Sequence, residues 1–238
     1  MVGTLVNVGA ILAGSLLGLL LGAKIPERIR QTVLYTMGFF TLALGIQMFL
    51  KTTNAIVVLA SLIIGVLLGE WWRIEESIEN LGGWLELRLT GKNHEQGQSR
   101  FVQGFLTTAL LYCVGPLAIL GAIQDGLTGD YSILAAKSIL DGFASIAFSS
   151  TFGVGVPFSS VPLLIYQGGI SLIAAQLQPM VTPLMMAEMT ATGGVLLIGL
   201  SIGSILKLCT VRVGNLLPAL IVAPLLVALL TGVGWIIP

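Results

Sequence analysis

Charged side chains are what this sequence has least of. Eleven Lys and Arg and eleven Asp and Glu make up 9% of its 238 residues, against about 25% in an average soluble domain. A chain of this length needs a polar surface to fold in water, and this composition does not supply one. A soluble enzyme, a nucleic-acid binder and a disordered chain are excluded on that ground. The two signs balance, so no charge excess points to a polyanionic partner. The one histidine, His94, lies in a polar stretch with no Cys or second His nearby, which leaves no nucleophilic triad and no zinc-type ligand set. Cys113 and Cys209 lie far apart in or beside apolar segments and read as free thiols. No GxxxxGK[ST] phosphate loop occurs. The expectation is therefore a protein that is not an enzyme, holds no metal or cofactor, and pumps with ATP only if another subunit supplies the engine.

Apolar residues fill the gap, at 55% of the chain and a mean hydropathy of +0.99. A membrane-spanning helix needs about 20 mostly apolar residues. Eight runs qualify: 3–22, 31–50, 54–70, 101–122, 132–152, 160–177, 183–206 and 215–235. Barrel strands would be shorter and would alternate in polarity. The fold class expected is an all-α, polytopic transmembrane helix bundle of about eight spans. The first run has no basic segment before it and meets a charged turn rather than a cleavage site, so it is expected to be retained.

Basic residues give an orientation. Lys24, Arg28 and Arg30 follow the first run, Arg73, Arg88, Lys92 and Arg100 the third, and Lys207 and Arg212 the seventh. With the N-terminus outside, all nine fall on the cytoplasmic side, as the positive-inside rule favours. Lys51 is left outside, and Lys137 lies within a run. Asp125 and Asp130 are assigned to an outer loop, and both termini are expected outside. The segment 71–100 is the sizeable soluble piece. Trp71, Ile74, Ile78, Leu81 and Leu85 form a stripe at helical spacing, which predicts an interfacial amphipathic helix with Trp71, Trp72 and Trp84 at headgroup depth, interrupted at Gly82-Gly83.

An offset of 104 residues lays the second and third runs over the fifth and sixth. Gly38-Phe39 then falls on Gly142-Phe143, Ala43 on Ala147 and Gly65 on Gly169. This predicts a 3+3 inverted repeat, 1–70 against 101–177, in a single membrane domain, with 71–100 between the halves and 178–238 as an appended helix pair. The alternative is an ordinary bundle without symmetry. Gly14, Gly18 and Gly22, Gly65 and Gly69, and Gly199 and Gly203 form small-residue faces that allow close helix contact.

Ionisable residues at bilayer depth are costly, about 2.5–3.5 kcal/mol each on insertion scales, and so mark candidate sites. The fifth run carries Lys137 and Asp141 one helical turn apart, with Ser138, Ser145 and Ser149 continuing a polar stripe. Such a stripe cannot face lipid. It is either a solute or ion site or an internal ion pair with hydroxyls bonded back to their own helix. The uncharged stretch TFGVGVPFSSVP, 151–162, is expected to fold back into the protein or to form a tight turn. Gln167 and Glu188 are further candidates, Glu188 as a second buried acid or as an interfacial one. Asn7 and Tyr112 read as helix-to-helix hydrogen bonders.

These same residues carry a resemblance. LLYCVGPLAILGAIQDGLTGDYSILAAKSILDGFASIAFSSTFGVGV (110–156), VPLLIYQGGI (161–170), GTLVNVGAILAGSLLG (3–18) and LGEWWRIEESIENLGGWLE (68–86) resemble the domain-of-unknown-function 554 family of bacterial membrane proteins, over essentially the whole chain. The resemblance implies a multi-pass protein of the bacterial inner membrane. It carries a loose association with transport and no site residues. The reading that results is a secondary transporter or exporter of a small polar solute, coupled to protons or another cation. Asp141 is the coupling site and Lys137 its counter-ion. Ser138, Ser145, Ser149 and Gln167 supply hydrogen bonds, and Glu188 is a second proton carrier. The other class is a non-transporting scaffold or sensor that docks through 71–100, and a channel is third. Expected partners are the bilayer, the solute and, for such a bundle, a second copy of the chain.

Overall fold

A computed structural model of the chain describes residues 1–22, 25–90 and 99–234. Lys24, Lys92 and His94 lie outside the described residues. Among the described residues the regular structure is all helical, with no strand. Its helices are α1 (Val2–Gly22), α2 (Glu27–Phe49), α3 (Ala55–Trp72), α4 (Ile74–Thr90), α5 (Arg100–Cys113), α6 (Pro116–Thr128), α7 (Ser132–Phe152), α8 (Gly155–Phe158), α9 (Ser160–Leu172), α10 (Ala174–Leu177), α11 (Pro183–Leu200) and α12 (Ala219–Gly232). A π-helical turn, Ser201–Ile205, continues α11, and a 3-10 turn, Val213–Leu216, leads into α12. Starts are set by local chemistry. Asn54, Ser99 and Thr182 accept hydrogen bonds from Ile56, Val102 and Met185 N–H groups at 3.1–3.2 Å, each filling one of the donors a helix leaves open.

Among the described residues, six segments are long and apolar enough to cross a membrane: Val2–Gly22, Glu27–Phe49, Ala55–Trp72, Ser132–Phe152, Pro183–Ile205 and Val213–Gly232. The run 101–122 departs from expectation. It is not one helix but two, α5 and α6, bent by 61°. The cause is Gly115-Pro116. Proline has no N–H to give and disfavours helix in the residue before it, yet fits the first position of a new helix. The run 160–177 is also divided. The 13 residues of α9 reach about 20 Å at 1.5 Å per residue, and the single turn α10 follows.

The two ends of the bundle follow from who meets whom. Gly14, Gly18 and Gly22 face Gly142, Ile146 and Ser150 in turn, so α1 and α7 run parallel in contact for three turns. A methyl at Gly14 or Gly18 would overlap the Gly142 or Ile146 carbonyl oxygen. By contrast α2 and α11 are antiparallel. Gly45 lies against Gly194 and Ile198, Gly38 lies against Leu206, and the Ser201 hydroxyl donates to the Gly38 carbonyl at 2.6 Å. Likewise Gly65 of α3 meets Ala219 at the start of α12, and Gly69 meets Asn215 in the 3-10 turn before it. Gly199 and Gly203 admit no second helix; they lie against Val213 and Val211 of the following connection. With these directions Lys51 sits at the end that holds Met1. Arg28, Arg30, Arg73, Arg88, Arg100, Lys207 and Arg212 sit at the other.

Helix α4 corrects a second expectation. It runs through Gly82-Gly83 without a break. Two glycines cost a helix interior about 1 kcal/mol each, but here Gly82 lets α4 lie on Phe105. Ile78 and Leu85 pack against Phe101, Val102 and Phe105 beside it. Trp71, Trp72 and Trp84 are 80%, 62% and 53% exposed and face away from the bundle.

Glycine packing gives the first prediction. Gly14→Ala or Gly18→Ala forces two backbones apart and should cost on the order of 1–3 kcal/mol, the usual range for overpacking. Gly9→Ala, on the open side of the same helix with nothing within 4 Å, should keep or raise stability, by up to about 1 kcal/mol from helix propensity. Thermal unfolding of the three variants in one detergent separates them. Equal stability of all three contradicts the α1–α7 contact.

Candidate functional site

The four-residue spacing on α7 puts Lys137 and Asp141 on one face, and that face is turned inward. Lys137 is 6% and Asp141 8% exposed, and the Lys137 Nζ is paired with Asp141 Oδ2. Three other helices close on the pair. From α1, Asn7 Nδ2 donates to Asp141 Oδ2 at 3.0 Å and to Gln167 Oε1 of α9 at 3.3 Å. From α5, the Tyr112 hydroxyl lies 2.6 Å from Ser145 Oγ. The Ser145 hydroxyl spends its own proton on the Asp141 carbonyl at 2.7 Å, so Tyr112 is the donor. The Lys137 ammonium stands 6.0 Å from the Tyr112 ring centroid, at the outer limit of cation–π attraction. Tyr112 is the second-last residue of α5, so the α5–α6 break opens beside the charged pair.

The seven residues expected from sequence divide. Lys137, Asp141, Ser145 and Gln167 come together with Asn7 and Tyr112. Ser138 lies on the same face, its hydroxyl bonded back to the Leu134 carbonyl at 2.6 Å. Ser149 is buried two turns below Asp141 with no partner. Glu188 belongs elsewhere. Its fully buried carboxylate accepts from Thr52 Oγ1 (2.6 Å), Thr53 Oγ1 (2.7 Å), Thr53 N (2.8 Å) and Asn54 N (3.0 Å). It fastens the α2–α3 connection to the start of α11. The helix register explains this: antiparallel α2 and α11 place the α2 C-terminus level with the first turns of α11.

Other residues were less legible. Asp125 is not in a loop but within α6, 3% exposed, and its Oδ2 accepts the Gly3 N–H at 3.0 Å, at the positive end of α1. The stretch 151–162 makes the one-turn helix α8, packed on the start of α5 with Val156 and Ser159 fully buried. Its Ser159 and Ser160 hydroxyls donate to the Val156 and Pro157 carbonyls at 2.6 Å. Asp141 lies eleven residues, about 16 Å of helix rise, before the end of α7 at Phe152, where α8 packs, so α8 does not reach the pair.

Some buried polar atoms have no partner. Among the described residues they include Thr4 Oγ1, Asn7 Oδ1, Ser15 Oγ, Thr107 Oγ1, Ser149 Oγ, Gln167 Nε2 and Ser171 Oγ. These seven lie on α1, α5, α7 and α9, the helices around the pair; two more, Arg30 Nε and Asp125 Oδ1, lie on α2 and α6. An unsatisfied buried polar group costs about 1–3 kcal/mol, and native cores hold few of them.

A second polar cluster sits at the far end. The Glu75 N–H donates to Asn215 Oδ1 at 2.8 Å, and the Gly214 N–H donates to Glu75 Oε2 at 2.8 Å. The two bonds clamp α4 to the turn before α12. Burial pushes the Glu75 carboxyl above its usual range; the Gly214 bond and Arg212 oppose this, while Glu79 and Glu70 add to it. The folded state therefore holds a proton that the unfolded chain releases. Stability should fall as pH rises from the ordinary glutamate value of 4.5 through the raised one, then level off. Glu75→Gln should flatten that fall in a pH series of melting temperatures, and an unchanged slope contradicts the assignment. Separately, Glu188→Ala strands four donors and should lower stability by about 3 kcal/mol or more, read by thermal unfolding; a neutral outcome contradicts the latch.

Six helices among the described residues that are long and apolar enough to span define the class: a helical membrane protein. The model of the family described as Protein of unknown function (DUF554) matches residues 2–228, and the chain belongs to that family. It is 34% identical over 225 residues to the "Uncharacterized protein YqgA" of Escherichia coli (strain K12), covering 93% of this chain and 94% of that protein. It is also 34% identical over 240 residues to the "Uncharacterized membrane protein YdfK" of Bacillus subtilis (strain 168), covering 98% and 99%. No solved structure matches.

Proposed function

We propose that this chain is a secondary transporter or exporter of a small polar solute, coupled to protons or another cation. One observation carries the reading: a buried Lys137–Asp141 pair beside a broken helix, with the partnerless amide atoms Asn7 Oδ1 and Gln167 Nε2 next to it. Broken helices near the bilayer midplane are where secondary transporters place their substrate and ion sites. A pair kept only for stability is poor value in a bilayer, since apolar packing of the same volume serves as well or better. In this reading Asp141 takes the coupling cation and Lys137 is its counter-ion, with Asn7, Ser145 and Gln167 orienting both. Glu188 is left out of the relay, because its carboxylate is fully engaged at the α2–α3 connection.

The membrane arrangement is part of the proposal. The chain lies in a bacterial inner membrane with both termini outside and eight passes, of which α5–α6 and α9–α10 are broken ones. Helix α4 lies in the inner interface, where its Trp84 and the Trp71 and Trp72 that end α3 suit headgroup depth. The inverted repeat is retained as a further part. The helices it pairs, α2 with α7 and α3 with α9, run in opposite directions, and superposition of 1–70 on 101–177 by a two-fold axis in the membrane plane tests it. The scaffold reading has one observation in its favour: a cleft of about 1120 Å³ between α4 and the π turn, lined by Glu70, Arg73, Glu79, Lys207 and Arg212.

Two experiments check this. Exposed Cys209, and a cysteine at exposed Thr128 in a Cys209→Ser background, should label oppositely with an impermeant maleimide added outside: Thr128 reactive, Cys209 protected. The reverse pattern inverts the orientation. Proteoliposomes loaded against solute pools test transport itself. The Lys137→Met/Asp141→Asn double variant should fold with near-normal stability and lose gradient-coupled uptake. Full uptake by a well-folded double variant sinks the transport role of the pair.

A further inference from the structure

We infer that the solute is a small zwitterion, one ammonium and one carboxylate a few bonds apart, of the α-amino acid type. This rests on the transport reading of the same site and adds the chemistry of the cargo. The first argument is charge. Lys137 and Asp141 are nearly fully buried and sum to zero. A lone cation or anion entering such a place leaves an uncompensated charge in a medium that penalises it by several kcal/mol. A zwitterion adds both signs at once and leaves the site neutral. Its two charges can interleave with the pair, carboxylate to Lys137 and ammonium to Asp141.

The second argument is the hydrogen-bonding remainder. Asn7 and Gln167 are both fully buried. Asn7 Nδ2 is used on Asp141 and on Gln167 Oε1, which fixes the orientation of both amides. What is left is one acceptor, Asn7 Oδ1, and one donor group, Gln167 Nε2, each without a partner. An acceptor beside the Asp141 carboxylate suits an ammonium. A donor group, together with the two Lys137 protons not given to Asp141, suits a carboxylate. Neither half-molecule, a simple amine or a simple carboxylate, would use both. One turn along α1 and α9 from these amides lie Ile11 and Leu163, packed with the Tyr112 ring in a buried apolar cluster. That floor favours a small, uncharged side chain on the solute.

The test uses the full-length protein in nanodiscs and wild-type sequence first. Binding of alanine and glycine is measured by calorimetry beside methylammonium, acetate and acetamide. The zwitterions should bind at least about tenfold more tightly than any single-charge or neutral fragment, a difference of about 1.4 kcal/mol. Asn7→Ala and Gln167→Leu should each weaken alanine binding by about tenfold, and circular dichroism confirms that the variants are folded. Methylammonium or acetate binding as tightly as alanine overturns the inference, and so does the absence of binding by any of the twenty common amino acids. Transport separates the two claims. If alanine binds at the pair but is not carried into proteoliposomes, the zwitterion site stands and the transporter reading falls. If another solute is carried in a pair-dependent way and no amino acid binds, the transporter reading stands and this inference falls.

Discussion

The parallel contact of α1 and α7 is the constraint on which the site depends. Between helices in lipid there is no hydrophobic force to draw surfaces together, so association relies on close packing and interhelical hydrogen bonds. Gly14, Gly18 and Gly22 remove every side chain from one face of α1, and Gly142 does the same at its point of contact on α7. The backbones then approach closely enough for Asn7, two turns above Gly14, to reach Asp141. Widen that contact and the Asn7 bond is lost. With it goes the bridge to Gln167 that ties α9 to the pair.

Around this contact the polar atoms form a column rather than a point. Gly22 faces Ser150, so Ser149 lies about 25 Å along the α1 axis from Thr4 at 1.5 Å per residue. That distance is close to the thickness of a hydrocarbon core, about 30 Å. Thr4 and Ser171 mark one end, Asn7, Lys137, Asp141, Gln167 and Ser15 the middle, and Ser149 the other end. Partnerless hydroxyls spread over that depth are a poor way to stabilise a sealed bundle. They suit a bundle in which water or solute replaces the missing partners as helices shift. The Glu188 latch and the Glu75–Asn215 clamp differ in kind. Each is a carboxylate with backbone donors at one end of the bundle, and each holds a connection in place.

Local signals were legible in the sequence and long-range register was not. Hydropathy alone placed the long helices, and the i, i+4 spacing of Lys137 and Asp141 placed both on one face. The glycine face of α1 could be read, but not its partner: α7 follows more than a hundred residues later, and nothing local specifies the match. Asn7 and Tyr112 were read as helix-to-helix hydrogen bonders, and they are; that their bonds end on the site residues Asp141 and Ser145 depends on how three distant helices align. The break in the run 101–122 was readable, because Gly115-Pro116 is a strong helix boundary, but continuous hydropathy across it concealed the signal. Gly82-Gly83 misled in the other direction, since packing on Phe105 overrode a weak propensity. Glu188 could not be separated by sequence from the Asp141 site, as both are lone acids within apolar runs.

Reach from the two aqueous phases tests most directly whether the buried pair is a working site. Ser171→Cys and Ser149→Cys, each in a background lacking Cys113 and Cys209, place one thiol at either end of the polar column. In vesicles of one orientation, a small impermeant thiol reagent should reach position 171 from one side and position 149 from the other. Saturating solute should raise one rate while lowering the other. If both positions stay unreactive from both sides, with and without solute, the column is a sealed core and the Lys137–Asp141 pair is structural.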